Sequence, residues 1–368
     1  MGMYLAPSLE KYTKEQLSAR EAQRLAEFIS WGPAVFQASR LMVKFGILDL
    51  IRDSADGITR AEIVQKTSLS DYAVKCLLEA SLCIGLTLID PETERFTISK
   101  AGWFLLNDKI TRVNIDFNHD LNYKAWHSLE ESLLSGKPEG LKNFGQWGTI
   151  YEGLSQLPEH VQKSWFGFDH FYSDSAFPQA LEIVFNKHNV KTLYDIGGNT
   201  GKWALQCVDY NGDVEVTVID LPQQIEMLQR NIASHPNSRR IKGLGIDILT
   251  PDATIPKREG GLDAIWMSQF LDCFSMEQIA GILTKAKAAM NPSTRIFIME
   301  TLWDRQKYET AAMNLMLTSL YFTAVANGNS KMYNTADMQA CIEKSGLEIE
   351  QIYDHLGLGH SILVCKIK

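Results

Sequence analysis

The segment of residues 193–201 constrains the fold of this chain more than any other, because an apolar strand there leads directly into a glycine turn. Its sequence is LYDIGGNTG, and a helical pattern follows over residues 202–208. Glycines permit a tight turn and let a ligand approach the backbone, while the helix that follows presents free N–H groups at its positive end. The segment therefore predicts the opening of a nucleotide-binding α/β unit.

The order of these glycines argues against a dinucleotide site. A dinucleotide fingerprint reads Gly-x-Gly-x-x-Gly, whereas this turn has Gly197, Gly198 and Gly201, with Asp195 two positions before the first glycine. A carboxylate repels a pyrophosphate but attracts an ammonium or sulfonium group. The turn therefore favours S-adenosylmethionine as the ligand.

A second acidic residue supports the same ligand. The apolar run over residues 214–219 ends at Asp220, 25 residues after Asp195. An acid at the end of the second strand can bind ribose hydroxyls. An ordinary tight connection would explain the glycines alone, but it would not explain both acids, so we expect Asp195 and Asp220 to share one cofactor site.

Strands and helices alternate from residue 192 onward. We expect strands at 192–196, 214–219, 240–245, 262–267 and 294–299, helices at 200–210, 223–233, 276–290 and 307–325, and two closing strands. This order predicts a doubly wound, Rossmann-like α/β sheet, in which ligands bind at the carboxyl ends of the strands. Such ends carry Asp195, Asp220, Asp247, residues 268–272 and Glu300. One crevice is therefore expected to hold these side chains.

The N-terminal part reads as mainly helical. Over residues 15–50 the helical spacing is broken at Gly32-Pro33, and an apolar stripe contains Val35, Leu41, Phe45, Ile47 and Leu48. A stripe this wide is typical of a core or of an intimate dimer interface, and we expect a homodimer. A capping box at Thr59 and Glu62, a second helix from Ser70 and a hairpin over residues 87–98 then follow. This is the order of a winged-helix unit.

A winged helix raises DNA binding as a rival function. The second helix carries one basic residue, Lys75, against Asp71 and Glu79, and the whole chain has a net charge of −8. Nucleic acids and anionic membranes both require a basic surface, so we expect neither as a partner. The six cysteines include no Cys-x-x-Cys pair, and no signal peptide or membrane span is evident. We therefore expect a cytoplasmic protein without a bound metal.

Residues 110–190 also read as mainly helical and are rich in aromatic and histidine side chains, among them His119, Trp126, Phe168 and Tyr172. Each one alone is more typical of a core, but together they can line an aromatic pocket over the glycine turn. A chain of 368 residues exceeds what one core usually fills. We divide it into a winged-helix dimerisation domain (1–110), a helical linker and acceptor-pocket segment (111–190) and a Rossmann-like domain (191–368).

Taken together, these motifs resemble those of the winged-helix, dimeric S-adenosylmethionine-dependent methyltransferases typified by plant caffeate and animal acetylserotonin O-methyltransferases. The resemblance covers nearly the whole chain. Residues 44–49, the helix pair after Thr59 and residues 96–102 look like the dimerisation module of the family. The sheet-domain motifs are DIGGxxG at 195–201, Asp-Leu-Pro at 220–222 and GIDI at 245–248.

The resemblance implies a role for each cofactor motif. Asp220 would bind the ribose, Asp247 would meet the adenine amino group and Ile248 would pack on the adenine ring. The expected cofactor site contains Asp195, Gly197, Gly198, Gly201, Asp220, Leu221, Asp247, Ile248 and Ser268.

The catalytic motif departs from the family pattern. Where the family has His-Asp-Trp with the histidine as general base, this chain has Asp272-Cys273-Phe274; Glu300 matches one of the two glutamates that orient the base, and Met332 stands in place of the other. Asp272 and Glu300 are the catalytic candidates. A carboxylate of ordinary pKa is a poor base for a phenol unless burial raises its pKa. Three roles therefore stay open for Asp272: general base for O-methylation, hydrogen-bond acceptor that favours methylation of a ring carbon, or orientation of the acceptor alone.

The acceptor pocket that the resemblance implies contains Phe168, Tyr172, Thr323 and Asn327, with Met313 and Met316 nearby, although methionines also fill gaps in cores. We expect a cytoplasmic homodimer that transfers the methyl group of S-adenosylmethionine to a small phenol-like acceptor, with O-methylation favoured over C-methylation of the ring. One alternative is a diverged enzyme that uses S-adenosylmethionine without methyl transfer. The other is a winged-helix DNA-binding regulator.

Overall fold

The computed structural model describes residues 12–368, except for the side chains of residues 170–174. The chain forms two compact units, residues 14–120 and residues 121–368, which we call the N-terminal and C-terminal units. The finer division of the chain at residues 110 and 190 stays a prediction.

The N-terminal unit is mainly helical. Its elements are α1 (Ala19–Ser30), α2 (Gly32–Lys44), α3 (Ile47–Arg52), α4 (Arg60–Lys66), α5 (Asp71–Ile84), β1 (Thr87–Ile89), β2 (Phe96–Ile98), α6 (Lys100–Asn107) and α7 (Lys109–Phe117). The two strands pair antiparallel, with Leu88 opposite Thr97. The unit thus has the helix, helix and hairpin order that the sequence predicts.

Local signals determine where these helices begin. The Thr59 N–H donates to Glu62 Oε2 over 2.7 Å and the Glu62 N–H donates to Thr59 Oγ1 over 3.3 Å, which is the predicted capping box. Ser70 is the N-cap of α5, so this helix begins one residue after the predicted start. Pro33 lies in the first turn of α2, where a backbone N–H would have no acceptor within the helix. The absence of an N–H on proline therefore costs this helix no hydrogen bond.

The predicted apolar stripe divides between core and surface. Ile47 and Leu48 are fully buried in the core of the N-terminal unit, whereas Phe45 is 39% exposed. Helix α1 contains no buried residue, although it is strongly amphipathic and carries Leu25, Phe28 and Ile29. Helix α1 therefore presents an apolar face that this unit does not bury.

The C-terminal unit begins with short helices and continues as an α/β domain. The helices are α8 (Tyr123–Ala125), α9 (Leu129–Ser135), α10 (Ile150–Gly153), α11 (Glu159–Ser173) and α12 (Phe177–Leu181). The alternating region contains β3 (Thr192–Ile196), α13 (Lys202–Tyr210), β4 (Glu215–Asp220), α14 (Pro222–Ile232), β5 (Ile241–Gly245), β6 (Ala264–Ser268), α15 (Met276–Ala289), β7 (Arg295–Glu300), α16 (Glu309–Tyr321), α17 (Thr335–Lys344), β8 (Leu347–Leu356) and β9 (His360–Ile367).

These strands form one seven-stranded sheet in the order β5-β4-β3-β6-β7-β9-β8. The first five are parallel, and β9 and β8 close the sheet antiparallel. Apolar clusters cover both faces, one around Trp266 and Phe297 and the other around Ile265 and Ile298. The α/β sheet is confirmed, and burial on both faces explains why its strands are almost continuously apolar.

Two features of the C-terminal unit differ from the sequence prediction. The expected single helix over 307–325 begins two residues later as α16, and after Tyr321 it widens into a π-helix over Phe322–Ala326. Helix α17 was not predicted, although Met338, Cys341 and Ile342 give it a short buried face at helical spacing.

Since the first five strands are parallel, their carboxyl ends meet at one edge of the sheet, which is where ligands bind in this architecture.

Candidate active site

The glycine turn lies between β3 and α13 and leaves no room for side chains. Gly197 has φ +77°, and a Cβ there would lie 2.3 Å from the Phe270 ring. A Cβ on Gly198 would lie 2.4 Å from Asp195 Oδ2. Gly201 has φ +83° and caps α13. Because these positions exclude side chains, the turn can present its bare backbone and the start of α13 to a ligand.

Two acidic side chains lie beside this turn. Asp195 is 2% exposed, and burial, reinforced by the charge of Asp220, raises its pKa to about 8. Asp220 accepts hydrogen bonds from the N–H groups of Asn199, over 2.8 Å, and Leu221, over 2.7 Å. Burial raises the pKa of Asp220 although both hydrogen bonds oppose the rise. A cationic ligand would favour the ionised forms of these two carboxyl groups.

The carboxyl edge of the parallel strands also contains buried hydrogen-bond acceptors that lack donors. Within the described part of the chain, Asp195 Oδ2, Gln224 Oε1 and Gln269 Oε1 are buried and have no hydrogen-bond partner. Gln224 lies in the first turn of α14, and Gln269 follows β6 with φ +44°. Such a set matches a ligand that brings ammonium or hydroxyl donors, and it does not match a pyrophosphate, which brings acceptors only. These residues therefore fit S-adenosylmethionine.

The remaining cofactor candidates are distributed along the same edge. Ser268 ends β6 and is half-buried, and Leu221 is exposed just after β4. Asp247 is exposed just beyond β5 and accepts a hydrogen bond from the Leu249 N–H over 3.0 Å. Ile248 is buried in the apolar cluster around Ile265 and Ile298. Asp247 and Ile248 thus lie just beyond the end of β5, and their adenine contacts stay predictions.

Asp272 lies on the loop of residues 269–274, which we call the Asp272 loop. The Gln269 N–H donates to Met299 O over 2.9 Å. The N–H groups of Phe270, over 3.1 Å, and Leu271, over 2.9 Å, donate to Glu300 Oε1. The first half of the loop is therefore attached to the end of β7, and Glu300 acts as its main anchor.

The second half of the loop is fixed by more distant parts of the chain. Asn327 Nδ2 donates to Cys273 O over 2.5 Å, and the Tyr333 hydroxyl donates to Phe274 O over 2.6 Å. The Tyr151 hydroxyl donates to Cys273 Sγ over 3.1 Å. Asp272 therefore lies on a loop whose backbone is fixed on both sides of it.

Burial changes the acid–base properties of Asp272. The side chain is 6% exposed, and burial raises its pKa to about 7, with a further contribution from the charge of Asp169 and an opposing hydrogen bond from the Cys273 thiol. Burial and the nearby Asp272 also raise the pKa of Glu300 well above its usual range, and its Oε2 has no partner among the described residues. A carboxylate that titrates near neutral pH can exchange a proton with a ligand.

Family models match most of the chain. Residues 23–96 match the Dimerisation2-like domain, and residues 126–347 match the O-methyltransferase domain. The chain belongs to the O-methyltransferase domain family. The resemblance stated from the sequence motifs is thereby confirmed.

Individual relatives are distant but cover most of the chain. The L-tyrosine C(3)-methyltransferase of Streptomyces lavendulae is 20% identical over 88% of this chain and 86% of its own length. The acetylserotonin O-methyltransferase of Gallus gallus is 22% identical over 73% of this chain and 77% of its own length. The relatives thus include enzymes named for methylation at oxygen and at carbon.

Solved structures show the same fold. The apo form of the S-adenosylmethionine-dependent methyltransferase SibL superposes with a TM-score of 0.68 at 20% identity, covering 92% of this chain and 98% of SibL. Human N-acetylserotonin methyltransferase in complex with SAM superposes with a TM-score of 0.61 at 15% identity, covering 96% of this chain and all of that chain. The predicted methyltransferase fold is therefore confirmed over nearly the whole chain.

The predicted acceptor residues occupy several different places. Asn327 is used as an anchor of the Asp272 loop, and its Oδ1 accepts from the N–H groups of Asn329 and Ser330. Met316 and Thr323 line a cleft of about 560 Å³, together with Met276, Trp303 and residues 328–333. Asp272 does not line this cleft. Met313 is 43% exposed on α16.

The aromatic and histidine candidates are also separated. Phe168 is half-buried on α11, and Trp126 is half-buried with its Nε1 atom lacking a partner among the described residues. His119 belongs to the N-terminal unit, where burial lowers its pKa. The side chain of Tyr172 lies outside the described residues. Acceptor contacts by these residues stay predictions.

Sequence reasoning missed several residues around Asp272. Tyr151 is 122 positions from its partner Cys273, and Trp165 Nε1 donates over 2.8 Å to the hydroxyl of Tyr321, which is 156 positions away. No local motif marks such pairs.

In the described part of the chain there is no group of His, Cys, Asp and Glu side chains suited to a metal ion, and no helix there is long and apolar enough to cross a membrane.

Proposed function

We propose that this protein is a methyltransferase that uses S-adenosylmethionine to methylate a small phenol-like aromatic acceptor. One observation carries the proposal: the Phe270 ring lies against Gly197, so the cofactor turn adjoins the loop that holds the buried Asp272. Membership of the O-methyltransferase family supports methyl transfer. The buried hydrogen-bond acceptors at the carboxyl edge of the sheet support a cationic cofactor.

When bound, S-adenosylmethionine supplies an electrophilic methyl group attached to a sulfonium. The glycine turn and Asp195 would hold the charged part of the cofactor, Asp220 and Leu221 its ribose, and Asp247 with Ile248 its adenine. Each of these residues lies at the carboxyl edge of the parallel strands, within or just after the end of a strand. The contribution of the chain is therefore to align donor and acceptor, and alignment of this kind is worth about 7 to 11 kcal/mol in model reactions.

Asp272 acts as the proton acceptor in this proposal. Its pKa of about 7 leaves much of it ionised at neutral pH, so it can receive the hydroxyl proton of a phenol. General bases of this kind contribute about 10²- to 10⁴-fold to a rate. Glu300 holds the N–H groups of Phe270 and Leu271 and thereby fixes the loop that presents Asp272.

Oxygen is the favoured methylation site because of the family to which the chain belongs. A phenol that gives its proton to Asp272 also becomes electron-rich at its ortho ring carbons, so the orientation of the ring decides which atom takes the methyl group. The relative named as an L-tyrosine C(3)-methyltransferase makes ring-carbon methylation the specific second candidate.

The proposal includes a cytoplasmic homodimer. The match to the Dimerisation2-like domain and the uncovered apolar face of α1 support self-association, and the helix, helix and hairpin order supports a winged-helix dimerisation unit. All six cysteines are free thiols, which supports a reducing compartment.

Mass spectrometry with a methyl-deuterated donor tests this function. The protein is incubated with deuterated S-adenosylmethionine and a panel of phenols, and the products are analysed for the label. We expect a labelled aromatic product, and NMR of that product distinguishes methylation of oxygen from methylation of carbon. Binding of the donor without transfer to any phenol in the panel would contradict the proposal.

A further inference from the structure

Two side-chain hydrogen bonds in series end at Asp272. The Tyr151 hydroxyl donates to Cys273 Sγ over 3.1 Å, and the Cys273 thiol donates to Asp272 Oδ1 over 3.5 Å. Sulfur is larger than oxygen, so both separations suit hydrogen bonds that involve a thiol. The carboxylate that the proposed function uses is thus connected, through sulfur, to a tyrosine on α10.

The neighbouring contacts keep this chain of hydrogen bonds in place. The backbone carbonyl of Cys273 is fixed by Asn327 Nδ2, which holds in place the backbone from which the thiol projects. Tyr151 follows the fully buried Ile150 at the start of α10. The thiol is therefore held between the tyrosine and the aspartate.

We propose that Tyr151 and Cys273 are positioning residues for Asp272: Tyr151 orients the Cys273 thiol, and the thiol holds the Asp272 carboxylate in its ionised form. The inference rests on the proposed function, in which Asp272 receives the acceptor proton. Neither residue needs to touch the substrate, because both act through the carboxylate.

The charges around Asp272 explain why such a donor is needed. Repulsion from the Asp169 carboxylate of α11 favours the protonated form of Asp272, and the charge of Asp272 in turn raises the pKa of Glu300 of β7. The hydroxyls of Tyr151, Tyr321 of α16 and Tyr333 also interact with Asp272. The Cys273 thiol and the N–H groups of Asp272 and Cys273 are the groups that favour the carboxylate.

The direction of the two hydrogen bonds follows from the acidity of the donors. Burial and the neighbouring Cys273 raise the pKa of Tyr151 well above its usual range, so the tyrosine keeps its proton and donates it to sulfur. Burial and Asp272 raise the pKa of Cys273 in the same way, so the sulfur stays a thiol and does not become a nucleophilic thiolate. A sulfur that accepts one hydrogen bond donates a stronger one.

The test is a direct titration of Asp272 by ¹³C NMR in protein labelled at the aspartate carboxyl carbon. Asp272→Asn identifies the signal, and Cys365→Ala, which removes a buried thiol on β9, serves as the matched control. We expect Cys273→Ala to raise the midpoint by about 0.5 pH unit, because a donor to the ionised form is lost. Cys273→Ser should restore the midpoint to the wild-type value or below, because a hydroxyl is the stronger donor.

Tyr151→Phe should raise the midpoint by less, and Tyr151→Phe combined with Cys273→Ala should match Cys273→Ala alone. Equal midpoints in wild type and Cys273→Ala, no recovery in Cys273→Ser, or additive effects of the two substitutions would overturn the inference. Circular dichroism confirms that each variant is folded. The titration needs no acceptor, so a failed methyl-transfer assay with these shifts intact would reject the proposed function without affecting the hydrogen-bond chain.

Discussion

An aspartate in water titrates near pH 3.9, about six pH units below a phenol, and would rarely take a phenol proton. In this protein the same side chain is buried on the Asp272 loop, and its pKa rises to about 7. Burial therefore makes Asp272 a stronger base than an ordinary aspartate, which supports its proposed role in place of the family histidine. The cost is a buried acid pair with Glu300, which the N–H groups of Phe270 and Leu271 partly offset.

The raised pKa of Asp272 gives the first prediction. Methyl transfer should increase as pH rises through about 7, because ionisation of Asp272 creates the proton acceptor. The dependence of kcat/KM on pH measures this limb with any acceptor that the enzyme uses. The limb should be absent in Asp272→Asn, and a rate that falls through this range in the wild type would contradict the role.

A second prediction concerns Asp195. Its pKa of about 8 means that it is mostly protonated at neutral pH in the absence of ligand. A cationic cofactor stabilises the ionised form, so binding should release a proton, and affinity should rise with pH by up to about tenfold per pH unit below 8. Calorimetry in two buffers of different ionisation enthalpy measures the proton release. Asp195→Asn should abolish it, and proton uptake on binding would contradict the assignment.

Among the elements, we expect the glycine turn to affect cofactor binding most directly. A Cβ on Gly198 would lie 2.4 Å from Asp195 Oδ2, so Gly198→Ala should displace either the turn or the carboxylate. We expect S-adenosylhomocysteine, measured by calorimetry, to bind at least about tenfold more weakly, which corresponds to ~1.4 kcal/mol. Gly212→Ala is the matched control, because nothing lies within 4 Å of a Cβ there. Equal affinities for the two variants would contradict this account.

The Asp272 loop gives a prediction for Asn327. Because its Nδ2 holds the Cys273 carbonyl, Asn327→Ala should loosen the loop while leaving the cofactor turn intact. We expect turnover to fall by about 10- to 100-fold, since small displacements of catalytic groups have effects of this size. Affinity for S-adenosylhomocysteine should stay unchanged. Asn186→Ala, which removes an exposed Nδ2 hydrogen bond to the Tyr210 hydroxyl, should behave as wild type. A raised KM with normal kcat would instead indicate a direct acceptor contact.

The elements show which parts of the structure could be predicted from sequence. The five parallel strands lie within two residues of their predicted bounds, and the glycine turn follows β3 as predicted, because both are encoded in contiguous segments. The sequence did not predict the anchoring roles of Asn327 and Tyr333, since these residues lie 54 and 59 positions from the atoms they hold. Folding alone brings such residues together. The basicity of Asp272 also depends on burial, which no local pattern reveals.

At the scale of the whole molecule, the exposed apolar face of α1 predicts self-association. Leu25, Phe28 and Ile29 are 48%, 42% and 68% exposed in the single chain. Obligate dimer interfaces commonly bury more than about 2,000 Å² and resemble a core cut in half. Sedimentation should show a dimer at micromolar concentration, and the double substitution Leu25→Glu with Ile29→Glu should give a monomer. Gln23→Glu on the same helix should leave the dimer intact, and a wild-type monomer would contradict the prediction.

The central claim is that this chain transfers a methyl group and that Asp272 receives the acceptor proton. Its most direct test compares turnover of wild type and Asp272→Asn with deuterated S-adenosylmethionine and the acceptor found in the phenol panel, after calorimetry shows equal affinity for S-adenosylhomocysteine. We predict a labelled product from wild type and a rate about 10²- to 10⁴-fold lower for Asp272→Asn. Near-normal turnover by Asp272→Asn would contradict the claim.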